Sequence, residues 1–302
     1  MTSLSKLGEF GLIDRIKRSV FTDASVIKGI GDDCAVLKYD SKNYQLLTSD
    51  MVTEGVDFLF GEDPYFIGRK SLAVSLSDIA SCCGVARYFM VSLGLPEKYP
   101  VSSVDKIFLG MRALADEFGL SLIGGDITKA ARLLIDVTVL GSVKKNRLAL
   151  RGGARLKDII FVTGEIGGSL KGKHLKFTPR LREAGYLAKN FKINAMIDIS
   201  DGLTQDLGHI LQQSKKGARI YEDLIPLSPE ASGLKKALHE GEDFELLFTL
   251  PQAEAKRLLG AKIRFFQPIG EIIPEKYGLR LVDKKGKETK IKPEGFLHFR
   301  AK

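Results

Sequence analysis

Seven aspartates constrain this chain more than any other feature: Asp32 and Asp33 in GIGDDCAVL, Asp50 in LLTSDMV, Asp78 in SLSDIA, Asp126 in LIGGDIT, and Asp198 and Asp201 in MIDISDGL. Each stands near Gly, Ser or Thr in a short segment that leaves or flanks an apolar run. A fold that gathers them sets like charges against one another, which is unfavourable unless cations lie between them. Carboxylate and hydroxyl oxygens are hard ligands suited to Mg²⁺, and the four His and three Cys show no zinc-like spacing. The pattern points to a site where several Mg²⁺ ions handle phosphate.

A length of 302 residues exceeds one ordinary core, so two domains are expected. The net charge of +9 raises the question of nucleic acid. The densest basic run, Lys284, Lys285, Lys287, Lys290 and Lys292 around Gly286, has no aromatic interleaving and reads as a solvated hairpin. An acidic site in a basic protein instead attracts polyphosphate carried with its metal. The longest apolar runs, 159–162 and 133–140, are strand-sized, so no membrane partner is expected. Residues 4–16 carry Lys6, Glu9, Asp14 and Arg15 rather than a leader's apolar core, which makes the cytoplasm the expected address. Cys82 and Cys83 are adjacent and Cys34 is alone, a pattern of reduced, buried thiols.

Strand and helix patterns alternate along the first half. Strands are expected at 44–48, 89–95, 120–123 and 133–143, with helices over 65–83 and 104–118. After the polar stretch 144–147 and RGGARLKD, a second alternation begins with a strand at 159–163. It continues with helices at 180–189 and 202–213 and strands at 195–197, 219–221, 245–250 and 268–272. The domain boundary is placed between 146 and 147.

In LLTSDMV a largely apolar strand is expected to end at Thr48, Ser49 and Asp50, three consecutive oxygen ligands at a sheet mouth, where ligands gather in α/β folds. Asp78 lies in an otherwise apolar and small helical stretch, so it needs a metal or a buried basic partner. Gly124 and Gly125 before Asp126 suit either close approach to phosphate or an ordinary glycine turn. In MIDISDGL, Ser200 or Asp201 reads as a helix N-cap, and the helix start also suits a nucleotide phosphate, leaving Asp198 for metal. GEDFELLF repeats the pattern with Glu242 and Asp243. No Gly-Lys-Ser/Thr phosphate loop is present, so phosphoryl transfer must rest on metals, with Arg151 and Arg155 of RGGAR as candidate phosphate contacts.

In order and spacing, LGEFGLIDRI, GDD, TSDMVTEGVDF, SDIAS, GGD, RGGAR, DISDGL, GEDFELLF and PEGFLHF resemble the thiamine-monophosphate kinase family, of the aminoimidazole ribonucleotide synthetase superfamily. The resemblance implies a two-domain architecture of α/β and α+β class: residues 1–146 bind metal and ATP and dimerise, and 147–302 form an α+β domain. It implies metal ligation by Asp33, Thr48, Ser49, Asp50, Asp78, Asp126, Asp198 and Asp201. It further implies ATP contacts at Phe108, Gly125, Asp126, Arg151 and Ser200, and substrate contacts at Asp57, Glu242 and Phe296. Two departures stand out: Asp57 occupies a position where many members have His, and segment 168–179 is short.

The reaction so implied is transfer of a phosphoryl group from ATP to thiamine monophosphate in a homodimer. The acceptor is a phosphate oxygen with a pKa of about 6, which needs no strong base; no catalytic side chain is therefore assigned. The competing readings are another ATP-dependent enzyme of the superfamily that activates an amide or carbonyl oxygen, and a catalytically silent nucleotide-binding protein. Formation of thiamine diphosphate separates them.

Overall fold

A helix with apolar and small residues on every side is stable only in an interior, and Pro64–Ser81 is such a helix, buried from Ile67 to Ser81 at nearly every position. Asp63 caps it by accepting from Tyr65 N at 3.0 Å, and Pro64 supplies the preset first turn. Two sheets pack around this helix. The computed structural model describes residues 3–299.

The first half runs α1 (Leu4–Leu7), α2 (Glu9–Ser19), β1 (Val26–Lys28), β2 (Ala35–Lys38), β3 (Asn43–Thr53), α3 (Pro64–Ser81), β4 (Val85–Leu95), α4 (Val101–Phe118), β5 (Ser121–Lys129) and β6 (Leu134–Lys144). Its strands form a sheet in the order β1-β2-β3-β6-β4-β5, antiparallel except for β4 and β5. Alternation along β6, with Ile135, Val137 and Val139 buried, turns one face onto α3 and α4.

The second half runs β7 (Ile159–Thr163), α5 (Lys173–Lys176), α6 (Leu181–Asn190), β8 (Ala195–Asp198), α7 (Leu203–Ser214), β9 (Lys216–Tyr221), α8 (Leu234–His239), β10 (Leu246–Leu250), α9 (Gln252–Gly260), β11 (Phe266–Pro274), β12 (Leu279–Val282) and β13 (Glu288–Ile291). Its sheet order is β13-β12-β9-β11-β7-β10-β8. β7, β8 and β10 are apolar on both faces because one face joins the α3 core through Phe161 and Phe248 and the other meets α7 and α8 through Ile197 and Leu247. The lysine-rich hairpin between β12 and β13 is exposed, its turn closed by Asp283 accepting from Lys285 N and Lys287 N. No helix among the described residues is long and apolar enough to cross a membrane.

The expected elements are present, with β3, β4, β5, β8, β9 and β11 longer than their patterns indicate. β3 and β5 extend through TSD and GGD, so both motifs lie within strands rather than at their ends. α3 and α4 cross where glycine removes the side chain: a Cβ on Gly110 would lie 1.9 Å from Tyr65 O. Gly110→Ala gains up to about 1 kcal/mol in helix propensity, but the facing backbone cannot yield. Overpacking of about 1–3 kcal/mol should dominate. Urea denaturation should show the variant destabilised; unchanged or increased stability would contradict the close crossing.

Candidate active site

The period of two along β3 sends Thr48 and Asp50 toward α3 and Ser49 to the opposite, open face. Thr48 Oγ1 donates to Asp78 Oδ2, and the neighbouring Ser77 Oγ donates to Asp198 Oδ2 at 2.6 Å, at the end of β8. α3 thus touches acids from both sheets. Asp33 reaches the same place from the GIGDD loop, held by Arg151 through Nε at 2.7 Å and through Nη2. Asp33, Asp78 and Asp198 each offer an oxygen within 4.8 Å of the others.

Burial disfavours charge on these groups and their mutual repulsion adds to it. Asp50 is pushed up to about 6 and Asp198 to about 7, burial being the larger cause in both. Asp78 lies well above the usual range through burial and then the charges of Asp50, Asp198 and Asp33. Asp33 Oδ2 and Asp50 Oδ2 are buried with no hydrogen-bond partner. Hard oxygens without partners, drawn together at this distance, fit a divalent cation of the Mg²⁺ type. Asp33, Thr48, Asp50, Asp78 and Asp198 are the residues that would hold it.

Three expected metal ligands lie outside that set: Ser49, Asp126 and Asp201, the last grouped with Asp206 and His209. Ser49 Oγ, on the open face, bonds to Asp136 Oδ1 at 3.1 Å and Thr138 Oγ1 at 3.0 Å, because three consecutive strand residues cannot face one way. Asp126 is exposed on the edge strand β5. Phe108, Gly125 and Asp126 border one recess of about 450 Å³, and a Cβ on Gly125 would meet Val91 O at 1.8 Å. The register runs Asp50, Val137, Val91, Gly125, so this recess stands three strand spacings, roughly 14 Å, from Asp50.

A second cavity, of about 460 Å³, opens between the halves and is bordered at its acidic end by Asp50, Ser200 and Asp201. Burial, then the nearby Glu9 charge, pushes Asp201 up to about 6. Neither Ser200 nor Asp201 caps α7: the cap position is Gly202, and Asp206 accepts from the Asp201 and Gly202 N–H groups at 3.1 and 3.0 Å. The Asp206 carboxyl thus takes the N–H groups at the start of α7, while burial, then the Asp201 and Asp198 charges, hold its pKa well above the usual range. Arg155 is exposed, leaving Arg151 as the guanidinium at the cluster.

Lys70 and Glu242 form the other end. Lys70, only 1% exposed, donates to Glu242 Oε1 and Oε2, both at 2.7 Å, and to Asp57 O at 2.6 Å. Glu242 holds a left-handed φ of 65°, a strained conformation kept at this site by the contacts around it. The Asp57 carboxylate also lines the cavity wall but closes its own turn, accepting from Thr53 N at 2.7 Å. Phe296 lies across the opening, 45% exposed, its N–H donating to Asp201 O at 2.9 Å. The sequence reading missed Lys70, Ser77, Asp136 and His174. Only Asp136 carried a signal, as a charge inside the apolar run of β6.

Folded-state carboxyl values above the ordinary 3.8 mean that the folded chain keeps protons the unfolded chain has released. Without divalent cations these groups therefore cost stability as pH rises from 3.8 through about 7. Mg²⁺ competes with the same protons. The rise in melting temperature given by millimolar Mg²⁺ should accordingly be small near pH 5 and grow to about pH 7.5. A rise independent of pH across that range would contradict the raised values.

Comparison with known proteins bears on the whole chain. Residues 31–143 match the family "AIR synthase related protein, N-terminal domain" and 137–282 its C-terminal domain. Thiamine-monophosphate kinase of Aquifex aeolicus is 34% identical, with 98% of this chain and 99% of the relative covered. The Bacillus subtilis protein of the same name is 33% identical, covering 97% and 100%. The solved structure "AaThiL complexed with AMPPCP and TMP" superposes with a TM-score of 0.87 at 33% identity, covering 99% of both chains. The chain belongs to the thiamine-monophosphate kinase family of AIR synthase related proteins.

Proposed function

We propose that this chain transfers the γ-phosphoryl group of ATP to thiamine monophosphate, giving ADP and thiamine diphosphate. The observation that carries this reading is the single cavity joining the buried carboxylates around Asp50 to an enclosed end at Lys70 and Glu242. Asp33, Thr48, Asp50, Asp78, Asp198 and Asp201 hold Mg²⁺, which supplies charge neutralisation between two phosphate groups that repel each other. Arg151 and Ser200 orient the nucleotide phosphates. Arg151 has the planar fork that suits phosphate and is held by Asp33. Asp57, Glu242 and Phe296 border the substrate end, with Phe296 placed to cover an aromatic or cationic ring. The acceptor oxygen is already largely deprotonated at neutral pH, its pKa being about 6, so alignment rather than a base is what the side chains provide.

The division between the halves falls at 146/147, and the ATP requirement suits a cytoplasmic enzyme. Two copies pair through the open face of the first sheet. That face carries the exposed Met51, Tyr88 and Met90 together with Ser49, Asp136 and Asp126. Pairing brings the partner's Asp126, with Phe108 and Gly125 in the recess beside it, toward Ser49, the neighbour of the inward-facing Asp50. This supports the same metal and ATP assignments for residues that stand apart within one chain.

Coupled ADP release with thiamine monophosphate tests the reaction; ATP turnover without thiamine diphosphate would contradict it. Asp50→Asn and Asp198→Asn should each lose at least about hundredfold in kcat/KM, as ligands lose no less than the residues that orient them. Asp126→Asn should be equally impaired. Mixing Asp126→Asn with Asp50→Asn chains after reversible dissociation should restore activity, since one site in each mixed dimer regains all its carboxylates. A mixture no more active than its components would contradict the shared site.

A further inference from the structure

The short segment 168–179 contributes Leu170 and an imidazole, His174, to the cavity that Phe296 also borders. His174, in α5, is 6% exposed and borders the same cavity as Glu242 and Lys70. Its Nδ1 lies 3.0 Å from Ser169 O. A carbonyl oxygen only accepts, so Nδ1 carries the hydrogen. In the neutral form of the ring this leaves the Nε2 lone pair as its second polar group.

That ring has little freedom. Asp243 accepts from Gly167 N at 2.9 Å and from Ser169 Oγ, pinning the start of the segment. The buried Glu245 pairs with Lys173 at 3.0 Å and Arg180 at 2.6 Å. Phe177 stacks on Phe244 with ring centroids 4.1 Å apart. The charged network lies behind the wall and is satisfied by its own members, so its effect on a ligand is to hold His174 in place.

Lys70 offers nothing further to a ligand. An ammonium has three hydrogens, and Asp57 O and the two Glu242 oxygens take them. The side chains that remain at this end are acceptors: the Glu242 carboxylate and His174 Nε2. A ligand matched to them presents hydrogens, and an exocyclic amine presents two. Lys70, Val74 and Asp78 stand four residues apart on one face of α3, which sets this end about 12 Å from the carboxylate cluster at 1.5 Å per residue. An extended molecule with a phosphate at one end and an aminopyrimidine at the other spans that distance.

We infer that His174 is a specificity-determining residue whose Nε2 accepts one hydrogen of the substrate's exocyclic amine, beside Glu242. The inference rests on thiamine monophosphate being the substrate. The test is calorimetric binding of thiamine monophosphate and of its 4-oxo analogue, which lacks that amine, in the presence of Mg²⁺ and a non-hydrolysable ATP analogue. Wild type should prefer the amine by about tenfold or more. His174→Asn keeps an N–H for Ser169 O and loses the acceptor, so it should weaken thiamine monophosphate binding by about fivefold to tenfold and leave the 4-oxo analogue nearly unchanged. His174→Gln, which returns an oxygen near the Nε2 position, should recover part of the preference.

Melting temperatures report whether each variant is folded, and either variant alone decides the question. His174→Asn binding both ligands like wild type, or losing equally for both, would overturn the inference, as would His174→Gln showing no preference while folded. Binding with no thiamine diphosphate formed would remove the kinase reading and leave the role of His174 standing. Failure of thiamine monophosphate to bind would remove both.

Discussion

Repulsion among buried carboxylates is the interaction around which this molecule is arranged. Two unit charges 4.8 Å apart, the limit separating the Asp33, Asp78 and Asp198 oxygens, repel by about 3.5 kcal/mol at an effective dielectric of about 20. The pairs within such a group together rival the 5–15 kcal/mol that typically holds a whole domain folded. The cluster therefore does not stand fully ionised and bare. Protons held at raised values, the Arg151 fork on Asp33 and hydroxyl donors from Thr48 and Ser77 moderate it.

Helix α3 makes that arrangement possible and ties it to recognition. Its small residues let both sheets approach: Ser75 Oγ bonds to Val137 O of the first sheet at 2.9 Å and Ser77 to Asp198 of the second. Asp78 sits on the cluster, and Lys70, two turns earlier, holds Glu242 of the other half. One rigid element thus fixes the distance between the carboxylate cluster and the Lys70–Glu242 pair. The buried Lys70 and Glu242 pair is costly to desolvate: burial raises the Glu242 pKa, and the Lys70 charge and its hydrogen bonds oppose that rise.

Much of this was legible in the sequence because the acidic motifs are local. GDD, SDIAS and DISDGL keep their meaning wherever their segments fold, and Asp33, Asp78 and Asp198 meet as expected. TSD misled because polar residues within an apolar strand look like its end. β3 in fact continues past them, with Thr48 and Asp50 turned inward onto α3. GGD misled in the same way on β5, where Asp126 is exposed on the edge strand, away from the cluster of its own chain. Lys70 and His174 were invisible for a different reason. A lysine in a helix ordinarily points to solvent, and its burial is decided by Glu242, 172 positions away. His174 acquires its tautomer from Ser169 O and its place from Glu245 and Asp243, none of which a local pattern encodes.

Proton release on cation binding probes the cluster itself. Calorimetric titration of the metal-free chain with Mg²⁺ at about pH 6, in two buffers of different ionisation enthalpy, counts the protons displaced. With Asp198 near 7 and Asp50 near 6, binding should release about one proton or more per chain at that pH and far less near pH 8. Heats identical in both buffers at pH 6 would mean that the carboxylates are already ionised there, and the electrostatic arrangement described above would be wrong.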